Sequence, residues 1–171
     1  GLARALLARA AAELHELGLQ TLQMTAEPPL RGFYERLGFV AGPTRHTLRC
    51  AAHGPGLDLR LHPPAPWPLP GRPVAGWRAG TWSRTPGDDA ATLALAGGLG
   101  SAHLSREGRA LLVQRLCVTG NDDLTIVAHA HAALDDLRAR AAEGTPLLLY
   151  GAEAVSCVTA SLLRRGPWHV A

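Results

Sequence analysis

Lysine is absent from this chain. All 17 basic residues are arginine, set against 14 acidic residues for a formal net charge of +3. The arginines are dispersed, with no clustered run, so the charge pattern of a nucleic-acid-binding surface is missing. The bias toward Ala, Leu, Gly, Pro and Arg is that of a GC-rich coding sequence. No apolar run approaches the ~20 residues of a membrane-spanning helix, so neither nucleic acid nor membrane is expected as a partner. The three cysteines, Cys50, Cys117 and Cys157, are odd in number, widely spaced and free of any CxxC pair. They provide neither a disulfide framework nor a zinc site, no metal is expected, and a reducing cytoplasm is the expected compartment. What is present is enough apolar sequence for a buried core, 47% hydrophobic and 18% charged over 171 residues.

Leu2 to Leu17 places Leu2, Leu6, Leu7, Ala10, Leu14 and Leu17 at helical spacing, with Gly18 as the stop. Leu19 to Thr25 reads as a short strand, Leu30 to Leu37 as a second helix ending at Gly38, and Thr44 to Cys50 as a strand. Residues 53–73 follow, with prolines at 63, 64, 66, 68, 70 and 73, a density that favours an extended linker. Beyond it, a short strand is expected within Val74 to Trp82 and a short helix over Asp88 to Ala96, with Asp88 or Asp89 near its start. Leu111 to Thr119 is the clearest strand. A helix over Leu124 to Ala142, a strand over Leu147 to Tyr150, a helix over Glu153 to Arg165 and a last strand fragment at Trp168-His169-Val170 complete the series.

The two halves repeat one order of elements, helix, glycine, strand, helix, glycine, aromatic. Aligning Gly18 with Gly144 gives an offset of 126, and the same offset plus two residues brings FYERLGF (33–39) onto SLLRRGPW (161–168). The chain therefore reads as two copies of one βα unit.

The first copy, GLARALLARAAAELHELGLQTLQMTAEPPLRGFYERLGFV, resembles the C-terminal half of the GNAT fold, the acyl-CoA N-acyltransferase superfamily. The resemblance is sharpest at Gly1-Leu2-Ala3 and at Gly32 to Phe39, and it covers residues 1 to about 49. Gly1 and Ala3 match the last conserved pair of the family's coenzyme loop, Q/R-x-x-G-x-G/A. This implies that three motif residues precede Gly1 and that the beginning of the domain is missing from the chain. It also implies acetyl-CoA as co-substrate, its pyrophosphate held at a helix N-terminus by the amides of Leu2, Ala3, Arg4 and Ala5, with Gly1 and Ala3 small enough to allow close approach. Arg4 adds side-chain charge. In the family the coenzyme lies between two splayed parallel strands, one of them matched by Leu19 to Thr25. A tyrosine matched by Tyr34 protonates the departing thiolate. Phe33, Leu37 and Phe39 are expected in the core. The general base comes from strands that the first copy does not contain.

The second copy departs from the pattern. The offset places its coenzyme loop at Leu124 to His129, where Val127 stands in place of a glycine and Asp122 and Asp123 put negative charge where phosphate would sit. Leu162 stands near the place of Tyr34. His129 and His131 are two apart on a predicted helix and make a poor metal pair. Cys157 is expected as a small buried hydrophobe, and Trp67, Trp77 and Trp82 as cover for a core edge.

The expected architecture is α/β, a GNAT-like mixed sheet flanked by helices in two copies, the first incomplete and the second degenerate. Residues 1–50 form the C-terminal half of an acetyltransferase domain, 51–73 a proline-rich linker, and 74–171 the degenerate copy. The expected activity is acetyl transfer from acetyl-CoA to a primary amine on a small molecule or peptide, by a chain that forms an incomplete catalytic unit. The alternative is a non-catalytic GNAT-like module for dimerisation, as a homodimer, or for ligand sensing. The coding sequence upstream of Gly1 tests the resemblance: an Arg or Gln three positions before Gly1, preceded by an apolar strand, is expected, and the absence of both would remove its main support.

Overall fold

The computed structural model describes residues 1–18, 22, 26–62, 71–76 and 90–171. Of the strand expected over 19–25 only Leu22 is described, and the proline-dense stretch 63–70, Trp67, Trp77, Trp82, Asp88 and Asp89 lie outside the described residues. The chain divides into two compact units, Gly1–Gly42 and Pro43–Ala171.

In the first unit, helix α1 runs Leu2–Glu16, one residue short of the expected helix. No residue of α1 is buried. Leu7, Ala10 and Leu14 form a half-buried stripe at the 3, 4 spacing of one helix face, while Leu2 and Leu6 are exposed. A turn of 3₁₀ helix at Pro28–Leu30 leads into α2, Arg31–Glu35. The prolines stand where helix N–H groups have no partner to lose, so they start the turn rather than break it.

The second unit is α/β, a mixed sheet flanked by helices. Among the described residues it holds seven strands: β1 Arg45–Ala51, β2 Arg72–Gly76, β3 Ala90–Ala94, β4 Gly100–Glu107, β5 Ala110–Val118, β6 Pro146–Glu153 and β7 His169–Val170. Their order is β3-β4-β5-β6-β1-β7, with β2 paired to β5 off this path. Among these described strands only β5 and β6 pair in parallel, in register at Leu111–Leu147, Leu112–Leu148 and Val113–Leu149. Helix α3, Asp123–Arg140, makes the crossover between them, and α4, Cys157–Arg165, follows β6 and packs on α3. A parallel pair needs such a crossover, because a tight turn can join only antiparallel neighbours.

The core lies between α3, α4 and the sheet. Ile126, Ala130, Ala133, Leu134 and Leu137 form the buried face of α3, at the 3–4 residue period that the sequence carried. Leu104, Leu111, Val113, Leu116, Leu147, Leu149, Leu48 and Leu162 are all essentially inaccessible. Truncating one of these leucines to Ala costs ~2–5 kcal/mol, a large share of the ~5–15 kcal/mol that holds a domain together.

Several elements differ from the sequence expectations. Ala90–Ala94 is a strand, not part of a helix over Asp88–Ala96: Ala91 and Leu93 are buried while Thr92 between them is not. A period-two burial slot beside β4 overrides the helix propensity of alanine. β4 carries no clear strand signature, because GSAHLSRE mixes Ser and His among its apolar residues and blurs the alternation. The helix after β6 begins at Cys157 rather than Glu153, since Glu153 still pairs with Arg45 in the ladder between β6 and β1. The strand at Arg45–Ala51 lies in the sheet of the second unit, between β6 and β7. Residues 52–62 are also packed there. Ala52 and Leu59 are buried, and Gly54 bridges to Ala142 so closely that a Cβ would lie 2.0 Å from the Ala139 carbonyl oxygen.

The cysteines are free, Cys50 and Cys117 buried and Cys157 exposed. The expectation of a buried Cys157 fails because the first residue of α4 turns outward. Burial pushes the Cys50 thiol up to about 11 despite the neighbouring Arg138. A thiol reagent at neutral pH is therefore expected to modify one cysteine in the native chain and all three in denaturant; three fast thiols in the native chain would contradict this sheet.

His103 on β4 is partly buried, and that burial lowers its pKa below the ordinary value of 6.5. The unfolded chain then binds more protons than the folded one just below that value, so stability falls as pH drops beneath 6.5 and is fully retained above it. His103→Gln is expected to flatten this part of the stability–pH curve measured by urea unfolding; an unchanged slope would contradict it.

Candidate functional site

The residues singled out in the first half of the sequence all fall in the first unit. Gly1 precedes α1 as its N-cap residue with no side-chain cap, and space beside it is open. The Ala5 amide donates to the Gly1 carbonyl at 3.3 Å, so of the four amides expected to serve an anion, Ala5 is already committed. Leu2, Ala3 and Arg4 supply the remaining first-turn donors. Arg4 turns its guanidinium to the Arg36 carbonyl oxygen at 3.1 Å, two residues after Tyr34. The beginning of α1 and the end of α2 are thereby tied together.

Tyr34 is half-buried. Its ring meets Phe33 edge-on at 5.1 Å between centroids and Phe39 at 5.8 Å, the arrangement favoured by aromatic quadrupoles and worth ~0.5–1.5 kcal/mol per pair. The backbone explains why Phe39 returns to Tyr34. Its N–H donates to the Tyr34 carbonyl at 3.1 Å, the Gly38 N–H donates to Glu35 at 3.0 Å, and Gly38 has φ +95°. This is a Schellman cap, in which the residue after the glycine folds back on the last turn. Phe33 is exposed and Leu37 and Phe39 are half-buried rather than core, because this short helix has too little around it to enclose them.

The second unit has a different focus, the point where β5 and β6 part. Their parallel pairing covers Leu111–Val113 and Leu147–Leu149. Beyond it β5 pairs antiparallel with β2, Arg72 opposite Val118 and Pro73 opposite Cys117. β2 also lies against β6, although no ladder joins them among the described residues. A cleft of about 120 Å³ remains, bordered by β2, Gly151 and Glu153 of β6, Ile126 of α3 and the first residues of α4.

Both helix N-termini at this junction are capped by the chain itself. Asp122 accepts from the Thr125 amide at 2.9 Å and from its hydroxyl at 2.6 Å, and these bonds hold its carboxyl below the ordinary carboxylate value. Asp123 pairs with Arg72 at 2.9 Å, an exposed bridge worth ~0.2–1 kcal/mol. Ser156 accepts from the Thr159 amide at 3.0 Å. An anion at α3 would meet two carboxylates where free amides are needed.

The histidines of α3 part company, as their spacing requires. His129 Nδ1 bonds the Thr119 carbonyl at 2.6 Å, and His131 Nε2 lies 2.9 Å from Ser161 Oγ. Among the described residues no group of three His, Cys, Asp or Glu could hold a metal ion, and no described helix is long and apolar enough to cross a membrane. No protein-family model matches the chain, and no curated protein or solved structure matches it.

Sequence reasoning missed the partner switch of β5, for no local pattern marks the residue at which a strand changes neighbours. Gly38→Ala is expected to raise amide exchange at Phe39 by roughly 5–30-fold, the equivalent of the ~1–2 kcal/mol cost of a left-handed residue with a side chain. Unchanged exchange there would remove the cap from the account of Tyr34.

Proposed function

We propose that the protein is an N-acetyltransferase of the GNAT type, with the first unit contributing coenzyme and acid groups and the second unit a non-catalytic module. The observation that carries this reading is the Arg4–Arg36 hydrogen bond of 3.1 Å. It ties the first turn of α1, with amides suited to a pyrophosphate, to the capped turn that fixes Tyr34. Acetyl-CoA is the acyl donor and the acceptor is a primary amine of a small molecule or peptide. The amide donors of Leu2, Ala3 and Arg4 bind the diphosphate, with the positive end of the α1 dipole behind them. The amine nitrogen forms its bond to the acetyl carbonyl carbon as the carbon–sulfur bond breaks, and it sheds its extra proton to solvent. The Tyr34 hydroxyl gives its proton to the departing thiolate, a contribution of ~10²–10⁴-fold.

The non-catalytic reading of the second unit is supported by the junction of β5 and β6. A strand of the chain lies in the opening between the parallel pair, and Asp122 caps the α3 amides that a diphosphate would use. Tyr34 has no counterpart there, since Leu162 is fully buried in the core.

Calorimetry with acetyl-CoA on the product of the complete coding sequence tests the reading. Binding is expected, with Tyr34→Phe keeping it within about threefold while turnover of an amine panel falls ~10²-fold or more. Absence of binding would overturn the enzymatic reading, and equal turnover would remove Tyr34 as the acid.

A further inference from the structure

The four arginines of the first unit fall into two kinds. Arg9 pairs with Glu13 at 2.9 Å and Arg31 with Glu35 at 2.7 Å, each one turn along its own helix. Arg4 and Arg36 meet no carboxylate among the described residues. The fold brings these two together from distant positions in the sequence. Arg4 donates to the Arg36 carbonyl oxygen at 3.1 Å, and the Arg36 guanidinium folds back over Gly32, 3.7 Å from where a Cβ would stand. Taking acetyl-CoA as the donor, as proposed above, we infer that Arg4 and Arg36 form a second phosphate subsite. It holds the ribose 3′-phosphate of the coenzyme, separate from the diphosphate at the α1 amides, and makes the site selective for the 3′-phosphorylated form.

Charge, donors and reach support this assignment. Two cations drawn together without an acid repel one another, and a dianion between them turns that repulsion into attraction. No described acid of the unit is placed to do this. Glu13 and Glu35 are already engaged, and Glu16 ends α1 about 18 Å along the axis from Arg4. Glu27 precedes the 3₁₀ turn that leads into α2, whereas Arg36 closes α2 at its other end. A guanidinium carries N–H donors in a planar fork that matches phosphate oxygens. Arg4 uses one of its donors on Arg36, and those of Arg36 are unused among the described residues. Both side chains are exposed, as groups that meet an incoming phosphate must be, and a phosphate monoester carries close to two negative charges at neutral pH. In the coenzyme the ribose alone separates the 3′-phosphate from the diphosphate. A residue whose amide meets the diphosphate, as proposed for Arg4 in the first turn of α1, therefore reaches the 3′-phosphate with its side chain.

The test compares acetyl-CoA with acetyl-dephospho-CoA, which lacks only the 3′-phosphate, by calorimetry on the product of the complete coding sequence. Acetyl-CoA is expected to bind about tenfold tighter or more, the scale of charge-assisted hydrogen bonds to a phosphate. That preference should shrink as ionic strength rises from ~0.05 to ~0.3 M. Arg36→Gln should reduce it to about twofold or less by weakening acetyl-CoA alone, with acetyl-dephospho-CoA bound as before. Arg36→Lys keeps the charge but not the fork and should fall between the two, and Arg4→Gln should lower the same preference. Arg9→Gln, which removes a cation already paired with Glu13, should leave the preference as it is. Equal binding of the two coenzymes by the unaltered chain would overturn the subsite and leave acetyl transfer standing. An Arg36→Gln chain that loses both coenzymes in equal measure would also overturn it, since Arg36 would then serve the turn around Tyr34 rather than the phosphate. Binding of neither coenzyme would overturn the acetyltransferase reading and the subsite with it.

Discussion

Everything in the second unit is arranged around three side-by-side residue pairs, Leu111–Leu147, Leu112–Leu148 and Val113–Leu149. Among the described strands they are the only parallel pairs, and α3 makes them reachable. Its buried face of Ile126, Ala130, Ala133, Leu134 and Leu137 is the cover that a buried parallel pair requires. Once β5 and β6 are held at one end, the twist of the sheet lets them drift apart at the other. Hydrogen-bonding groups on β5 are then left to pair elsewhere, and β2 meets that demand.

The same constraint separates the two units chemically. In the first unit the N-terminal amides of α1 have no side-chain cap and Tyr34 is fixed by a glycine-dependent turn. In the second unit helix α3 is capped by Asp122, Leu162 of α4 is buried in the core, and the gap between β5 and β6 is occupied.

Much of this was legible in the residues. The 3–4 periodicity of Leu2–Leu17 and of Leu124–Ala142 marked α1 and α3 to within two residues at most ends. The apolar runs at Leu111–Thr119 and Leu147–Tyr150 marked the central strands, and Gly38 marked the cap beside Tyr34. What escaped was set by tertiary context. Ala90–Ala94 has helix-forming composition and becomes a strand because β4 offers a partner. β4 itself carries Ser101, His103 and Ser105, polar residues that hide its alternation. The two-residue turn Gly108-Arg109 between β4 and β5 was the available signal for that hairpin. The proline-rich stretch suggests a boundary after residue 50, whereas the strand at Arg45–Ala51 pairs with β6 and β7 and belongs with the second unit. Composition marks where a linker starts, but strand pairing decides which unit a segment joins.

The partner switch along β5 is the claim on which the rest depends, and isotope-edited NOE spectroscopy on the labelled chain reads it directly. Contacts of a parallel pair are expected between β5 and β6 from Leu111 to Val113 and no further, with antiparallel contacts from Ala75 and Pro73 to Leu116 and Cys117 taking over beyond them. Parallel contacts that continue from β6 to Val118, with none from Arg72–Gly76, would contradict the account.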